Sequence, residues 1–146
     1  MNPFEINDNE LYWLAGLLEG EGCFGLYKGR RHKTPVPFVV VKMTDRDIIE
    51  KVSRIFNAKV FERPKLPYKA MWETEVRGKL ALSWMQKLKP LMGMRRQERI
   101  GFLLQQGYQP MSVHERAAKG GQAMRAKSFI RLNKYNSNLF EQRAQL

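Results

Sequence analysis

Apolar residues recur along the chain in two rhythms, one of about 3.6 residues and one of two, and the switches between them mark out its elements. Leu11, Leu14, Ala15 and Leu18 stand at i, i+3, i+4 and i+7, the stripe of an amphipathic helix. Asn7 is its predicted cap, with Glu10 three residues on to reach back to the cap's own N–H. After Gly22 the period drops to two, and residues 23–28 and 37–43 read as strands, the second rich in β-branched side chains. Helical spacing returns in Ile48, Ile49, Val52, Ile55 and Phe56, with Thr44 or Asp45 as cap, acids in the first turn and Asn57 as the stop. Residues 59–63 and 70–77 are two more strands around a Pro-rich loop at 64–69. Trp72, Thr74 and Val76 share one face of the second, and Glu73, Glu75 and Arg77 share the other. A helix over about 79–88 stops at Pro90, and another runs from near Arg95 to about Gln106, before Gly107. The order predicts an α+β domain over residues 1–110, with 111–146 as a basic C-terminal extension.

At 146 residues the chain can bury roughly 68–70% of its unfolded surface without staples. One cysteine excludes an intramolecular disulfide, and Cys23 is expected to be a small core residue; with one cysteine and only two histidines, a zinc site is not expected. There is no run of some 18 apolar residues and no basic-then-apolar leader, so a soluble intracellular protein that is not secreted is expected. The net charge of +12 changes the picture most. Such an excess suits nucleic acid or an anionic membrane surface, and no membrane-anchoring basic helix stands out, so nucleic acid is the expected partner. The run Gly29-Arg30-Arg31-His32-Lys33 between the first two strands is either a solvated loop or a DNA contact. In the second case Arg30 and Arg31 read guanine edges while Lys28 and Lys33 hold phosphates.

The first helix ends oddly. Glu19-Gly20-Glu21-Gly22 puts two acids where free carbonyls already carry negative charge, at a cost of a few tenths to about 1 kcal/mol each. A hard divalent cation would compensate them. Gly16 and Gly20, four apart with Ala15 beside them, open a face that another backbone could approach closely. Residues 14–22, LAGLLEGEG, resemble the signature of the LAGLIDADG homing endonucleases, with Glu at both acidic positions, and the later elements follow in that family's order over about residues 5–107.

The resemblance implies one αββαββα repeat whose four-stranded antiparallel sheet, backed by helices, lies in the DNA major groove. With a single motif it implies a homodimer on double-stranded DNA, each copy reading half of a long pseudo-palindrome, with an interface at Ala15, Gly16, Glu19 and Gly20. Glu21 becomes the ligand of Mg²⁺ (or Mn²⁺), with the Gly20 carbonyl as second oxygen and Glu19 in support. Lys42 or Thr44 would position the attacking water. The family's basic residue at the start of the last helix aligns with Met94 here, a departure, and Arg95 or Arg96 could supply the charge instead. Lys28, Arg30, Arg31, Lys33, Arg63, Lys65, Lys69 and Arg77 are the expected DNA contacts. Glu73 and Glu75 on that surface would pair with Arg63 or Lys65, or accept from cytosine amino groups. The alternative is a cleavage-defective relative acting as an intron RNA-splicing maturase or DNA-binding regulator. A third reading is a basic scaffold protein whose two acids only pair with Lys or Arg. The extension, read as helices over 113–119 and 122–132, is open to three roles: a disordered tail, a phosphate-binding arm or a strap over the partner.

Overall fold

The computed structural model describes residues 5–28, 32–64 and 66–122. They divide between two units, Met1–Pro110 and Met111–Leu146, taken separately below. In the first, α1 (Asp8–Glu21) leads without a loop into β1 (Gly22–Tyr27), followed by β2 (Val36–Met43), α2 (Arg46–Phe56), β3 (Val60–Arg63) and β4 (Met71–Arg77). Then come α3 (Gly78–Leu88), a 3₁₀ turn at Lys89–Leu91 and α4 (Met94–Leu104). The strands form one sheet in the order β1-β2-β4-β3, every pair antiparallel. The fold is α+β, as the order of elements predicts.

Local chemistry explains most of the boundaries. The Asn7 side chain accepts from the Glu10 N–H at 2.9 Å, while the Glu10 carboxylate accepts from the Asn7 side-chain amide at 3.0 Å, so the capping box closes through side chains. Asp45 precedes α2 without a side-chain cap, and Asn57 ends that helix in the left-handed conformation (φ 50°). The Ala58 N–H bonds back to the Ser53 carbonyl, closing a Schellman-type end. α4 stops two residues short of the predicted Gln106, because Gln105 and Gln106 bond to carbonyls three residues back and tighten the last turn.

One sheet face carries the core. Leu14 and Leu18 of α1, Ile49, Val52 and Phe56 of α2, Trp84 of α3 and Ile100 of α4 are all at most 1% exposed and pack with Val39 and Val41 of the sheet. Phe56 and Trp84 meet as tilted rings, centroids 5.2 Å apart. The expectation for Cys23 fails: strand alternation puts Phe24 inward and turns Cys23 to the opposite, exposed face.

Gly78 joins β4 directly to α3 at φ +66°, and a Cβ there would stand 3.0 Å from the Tyr108 hydroxyl. Gly78→Ala is expected to cost about 1–2 kcal/mol for the left-handed backbone, plus the crowding of Tyr108. Gly107→Ala, at φ +64° with open space around it, should cost the backbone part alone. Chemical denaturation of both variants measures the difference.

In the second unit, residues 113–122 are helical, started by a Ser112–Glu115 capping box. The helix runs through Gly120 and Gly121, beyond the predicted stop at 119. The second predicted helix, at 122–132, has only its first residue among those described.

Candidate active site and nucleic-acid interface

The acids at the end of α1 have different fates. The Glu19 carboxylate turns to α4 and accepts the N–H of Gly93, that helix's N-cap residue, at 3.0 Å. There it meets the positive end of another helix dipole, which offsets its poor position on its own. α4 returns the exchange. Arg96 donates from Nη2 to the Glu19 backbone carbonyl at 3.1 Å, with its guanidinium 5.7 Å from the centre of the Phe24 ring. Arg99 donates to the Phe24 carbonyl at 3.3 Å. Each helix thus supplies the charge that the other's end requires. Sequence reasoning missed this exchange, although Arg95 and Arg96 at a helix start are as misplaced as the acids at a helix end.

Glu21 has no such partner. Its side chain is exposed and makes no hydrogen bond or ion pair among the described residues. Gly20 beside it is exposed, with open space where a Cβ would be. Lys42 stands one register step beyond the Gly22↔Val41 pair, at the same end of the sheet, and forms an ion pair with Glu73 at 3.1 Å. Thr44 is exposed just past β2, and Arg95 is exposed in the first turn of α4. Met94, in the position expected to be basic, is 79% exposed.

Of the four residues expected to face a second copy, two are open. Gly16 and Gly20 lie on the outer flank of α1 with nothing near their Cβ positions, whereas Ala15 is only 4% exposed, in line with Leu14 and Leu18 in the chain's own core. Glu19 is committed to α4. Tyr12, 60% exposed and four residues before Gly16, extends the flank and was not anticipated from the sequence.

The sheet face away from the core carries the expected polar row. Register places Lys42 opposite Glu73, and Val40 opposite Glu75. The row at Phe38 pairs with Gly25 on one side and Arg77 on the other. Glu73 is buried, and its carboxylate takes Lys42 together with both Nε and Nη2 of Arg63, at 3.4 and 3.3 Å. Glu75 binds Arg77 the same way, through Nε and through Nη2 at 3.0 Å. Of the other expected contacts, Lys28, Lys33 and Lys69 are exposed, while Arg30, Arg31 and Lys65 lie outside the described residues. Pairing of Glu73 with Arg63 follows the expectation, and Lys42 is an additional partner.

Burial pushes the Glu73 carboxyl up, but the hydrogen bonds and charges of Arg63 and Lys42 outweigh it and hold the group below the ordinary carboxylate range. A lowered folded-state value stabilises the fold above the unfolded value, near 4.3, and that contribution disappears as pH falls through the folded value. Glu73→Gln is expected to cost about 1–3 kcal/mol at neutral pH, with the gap to wild type closing below about pH 4. Urea melts across pH measure it.

Among the described residues no group of three or more His, Cys, Asp or Glu gathers as a metal cluster, and no helix is long and apolar enough to cross a membrane.

Comparison with solved structures gives this geometry its class. The chain superposes on the homing endonuclease I-CvuI in complex with its target in the presence of 2 mM Ca, at a TM-score of 0.54 and 21% identity over 68% of each chain. A second I-CvuI complex, in 2 mM Mg with DNA not cleaved, gives 0.51 at the same identity and coverage. The archaeal intron-encoded homing endonuclease I-Vdi141I, complexed with DNA, matches at 0.50 and 13% identity over 75% of this chain and 94% of that one. The LAGLIDADG meganuclease I-CpaMI, bound to uncleaved DNA, matches at 0.50 and 12% identity over 68% of this chain and 37% of that one. No family model and no curated protein matches. The chain has the fold of the LAGLIDADG homing endonucleases.

Proposed function

We propose that this protein is a metal-dependent, site-specific endonuclease that hydrolyses double-stranded DNA as a homodimer at a long pseudo-palindromic site. One observation carries the proposal: Glu21 is a free, exposed carboxylate at a helix end that disfavours it, the residue next to the open Gly16–Gly20 flank. A second copy packed on that flank would bring its own Glu21 to the same axis. The donor set fits a hard cation, since Mg²⁺ (or Mn²⁺) takes one or two carboxylates and completes its shell with water and substrate phosphate. Glu21 would hold it, with the Gly20 carbonyl in support. When bound, the metal supplies an activated water and charge for the phosphate and leaving oxygen. Glu19, Arg96 and Arg99 keep the α1–β1 corner fixed, so that Glu21 needs little reorganisation. Lys42 lies on the same end of the sheet to orient water or phosphate, and Arg95 is free in the first turn of α4 to meet backbone charge. The basic extension 111–146 adds phosphate affinity as a separate unit.

A second reading rests on Met94. An exposed thioether in the position expected to be basic fits a protein that binds nucleic acid, DNA or intron RNA, without cutting it. Cleavage selection on a randomised duplex library with Mg²⁺ decides between them. Cuts at one near-palindromic sequence support the endonuclease, and sequence-selective retention without cuts under Mg²⁺ or Mn²⁺ leaves the binding module.

A further inference from the structure

We infer that Arg63 and Arg77 each read a guanine in the half-site, and that Glu73 and Glu75 are positioning residues for them, not readers of cytosine. This rests on the endonuclease reading above, and specifies what its sheet recognises.

The edges of the guanidinium groups carry the inference. A guanidinium has two edges with paired, parallel N–H donors, Nε with Nη2 and Nη1 with Nη2. In Arg63 the first edge is given to Glu73, with Nε at 3.4 Å and Nη2 at 3.3 Å. In Arg77 the same edge is given to Glu75, Nη2 at 3.0 Å. Both arginines therefore keep the second edge unpaired among the described residues, and both side chains stay about 60% exposed while the acids beneath are 6% and 14% exposed. Two parallel donors at that spacing match the O6 and N7 acceptors of guanine in the major groove.

The acids are unsuited to reading cytosine. Both oxygens of Glu73 are engaged by Arg63, and one also meets Lys42. Both oxygens of Glu75 are engaged by Arg77. The spare lone pairs of these acids lie beneath the arginines, since the acid side chains are 6% and 14% exposed against about 60% for the guanidinium-bearing chains, so a base edge meets the arginine before the acid. Their evident effect is on the arginines. A long, flexible side chain held on one edge has lost its rotamer freedom before DNA arrives, so less is lost on binding. Arg77 is further steadied by the Tyr27 ring, 5.6 Å from its guanidinium carbon.

Register sets the spacing. Arg63 pairs with Met71 across the ladder, and Arg77 lies at the other end of β4. At about 3.3 Å per residue the two are separated by roughly 20 Å along the strand. For strands that run along the groove, this is about six base pairs at about 3.4 Å each.

The test is retention of a randomised duplex library by the full chain in Ca²⁺, with retained sequences counted for wild type, Arg77→Lys, Arg63→Lys and Glu75→Gln. Wild type is expected to enrich guanine in two columns of each half-site, about six base pairs apart. Arg77→Lys should flatten one column by on the order of ten- to a hundred-fold and leave the other intact, and Arg63→Lys the reverse. Glu75→Gln should weaken the same column as Arg77→Lys, without changing the salt dependence of binding. A phosphate contact would behave differently: lysine keeps the charge, so affinity would hold and no column would change. Selective retention by wild type with every column unmoved in both lysine variants overturns the inference alone. A Glu75→Gln library identical to wild type overturns its positioning role. No selective retention by wild type overturns both this inference and the DNA-cleaving function it builds on.

Discussion

Glu21→Gln is expected to remove cleavage while leaving duplex retention unchanged and the fold as stable as wild type, or more so. The three outcomes follow from one placement. Glu21 ends α1, where its charge opposes the helix dipole, and its side chain has no compensating partner among the described residues. Neutralising it therefore removes a repulsion, and a gain of a few tenths to about 1 kcal/mol is expected in denaturant melts. Gln keeps the shape and an oxygen, but a neutral amide is a poor ligand for a hard cation. The rate should fall by about a thousand-fold or more, the scale of removing a preorganised group that acts on developing charge. Retention should persist, because the basic residues and the sheet are untouched. Single-turnover cleavage, library retention and melting on the same preparation check all three. A variant that loses stability would make Glu21 a structural acid, and one that still cuts would move the metal elsewhere.

Glu19→Ala gives the contrast, since that neighbour is structural. Its carboxylate and its carbonyl are both used, by residues 74 and 77 positions away. Nothing local announces such a pairing. The sequence does show the anomaly twice, acids at a helix end and arginines at a helix start, and only the fold reveals that the two anomalies cancel. Elements with strong periodicity were legible for the opposite reason: α2 and the strands are specified by neighbours within a turn or a pleat, so their order and faces could be read directly. Cys23 shows where that kind of reading fails. Its small apolar side chain suggests a core position, but β1 begins at Gly22, and the alternation fixed by Phe24 sends Cys23 outward. The acids of β4 were legible as a face and not as partners, because the choice between Arg63, Lys65 and a base depends on the cross-strand register. Ala15 and Gly16 are adjacent small residues that look equivalent in the motif, yet a helix turns about 100° per residue, which puts one in the core and the other on the open flank.

Gly22→Ala is expected to be the most damaging single methyl in the first unit. Gly22 is where α1 becomes β1, and its backbone is ordinary extended chain (φ −75°, ψ 146°), so conformational freedom is not what requires glycine. Space is. Its N–H bonds to the Leu18 carbonyl, and a Cβ would lie 2.6 Å from that oxygen and 2.9 Å from the Leu18 Cα. These are backbone atoms in a helix whose Leu14 and Leu18 are fully buried, so α1 cannot shift without disturbing the core. Overpacking of this kind costs about 3 kcal/mol, a fall of roughly 10 °C in Tm for a chain of this size. Relief would come by prying β1 from the helix end, which displaces Glu21, one residue away, and loosens the Glu19–Gly93 contact. Cleavage should therefore fall at temperatures where the variant is still folded, and retention should fall less. Gly20→Ala is the control, with nothing within 4 Å of its Cβ position and Glu21 equally near. It should hold the stability of the monomer and lose activity only as far as the second copy needs the open flank, which analytical ultracentrifugation measures separately.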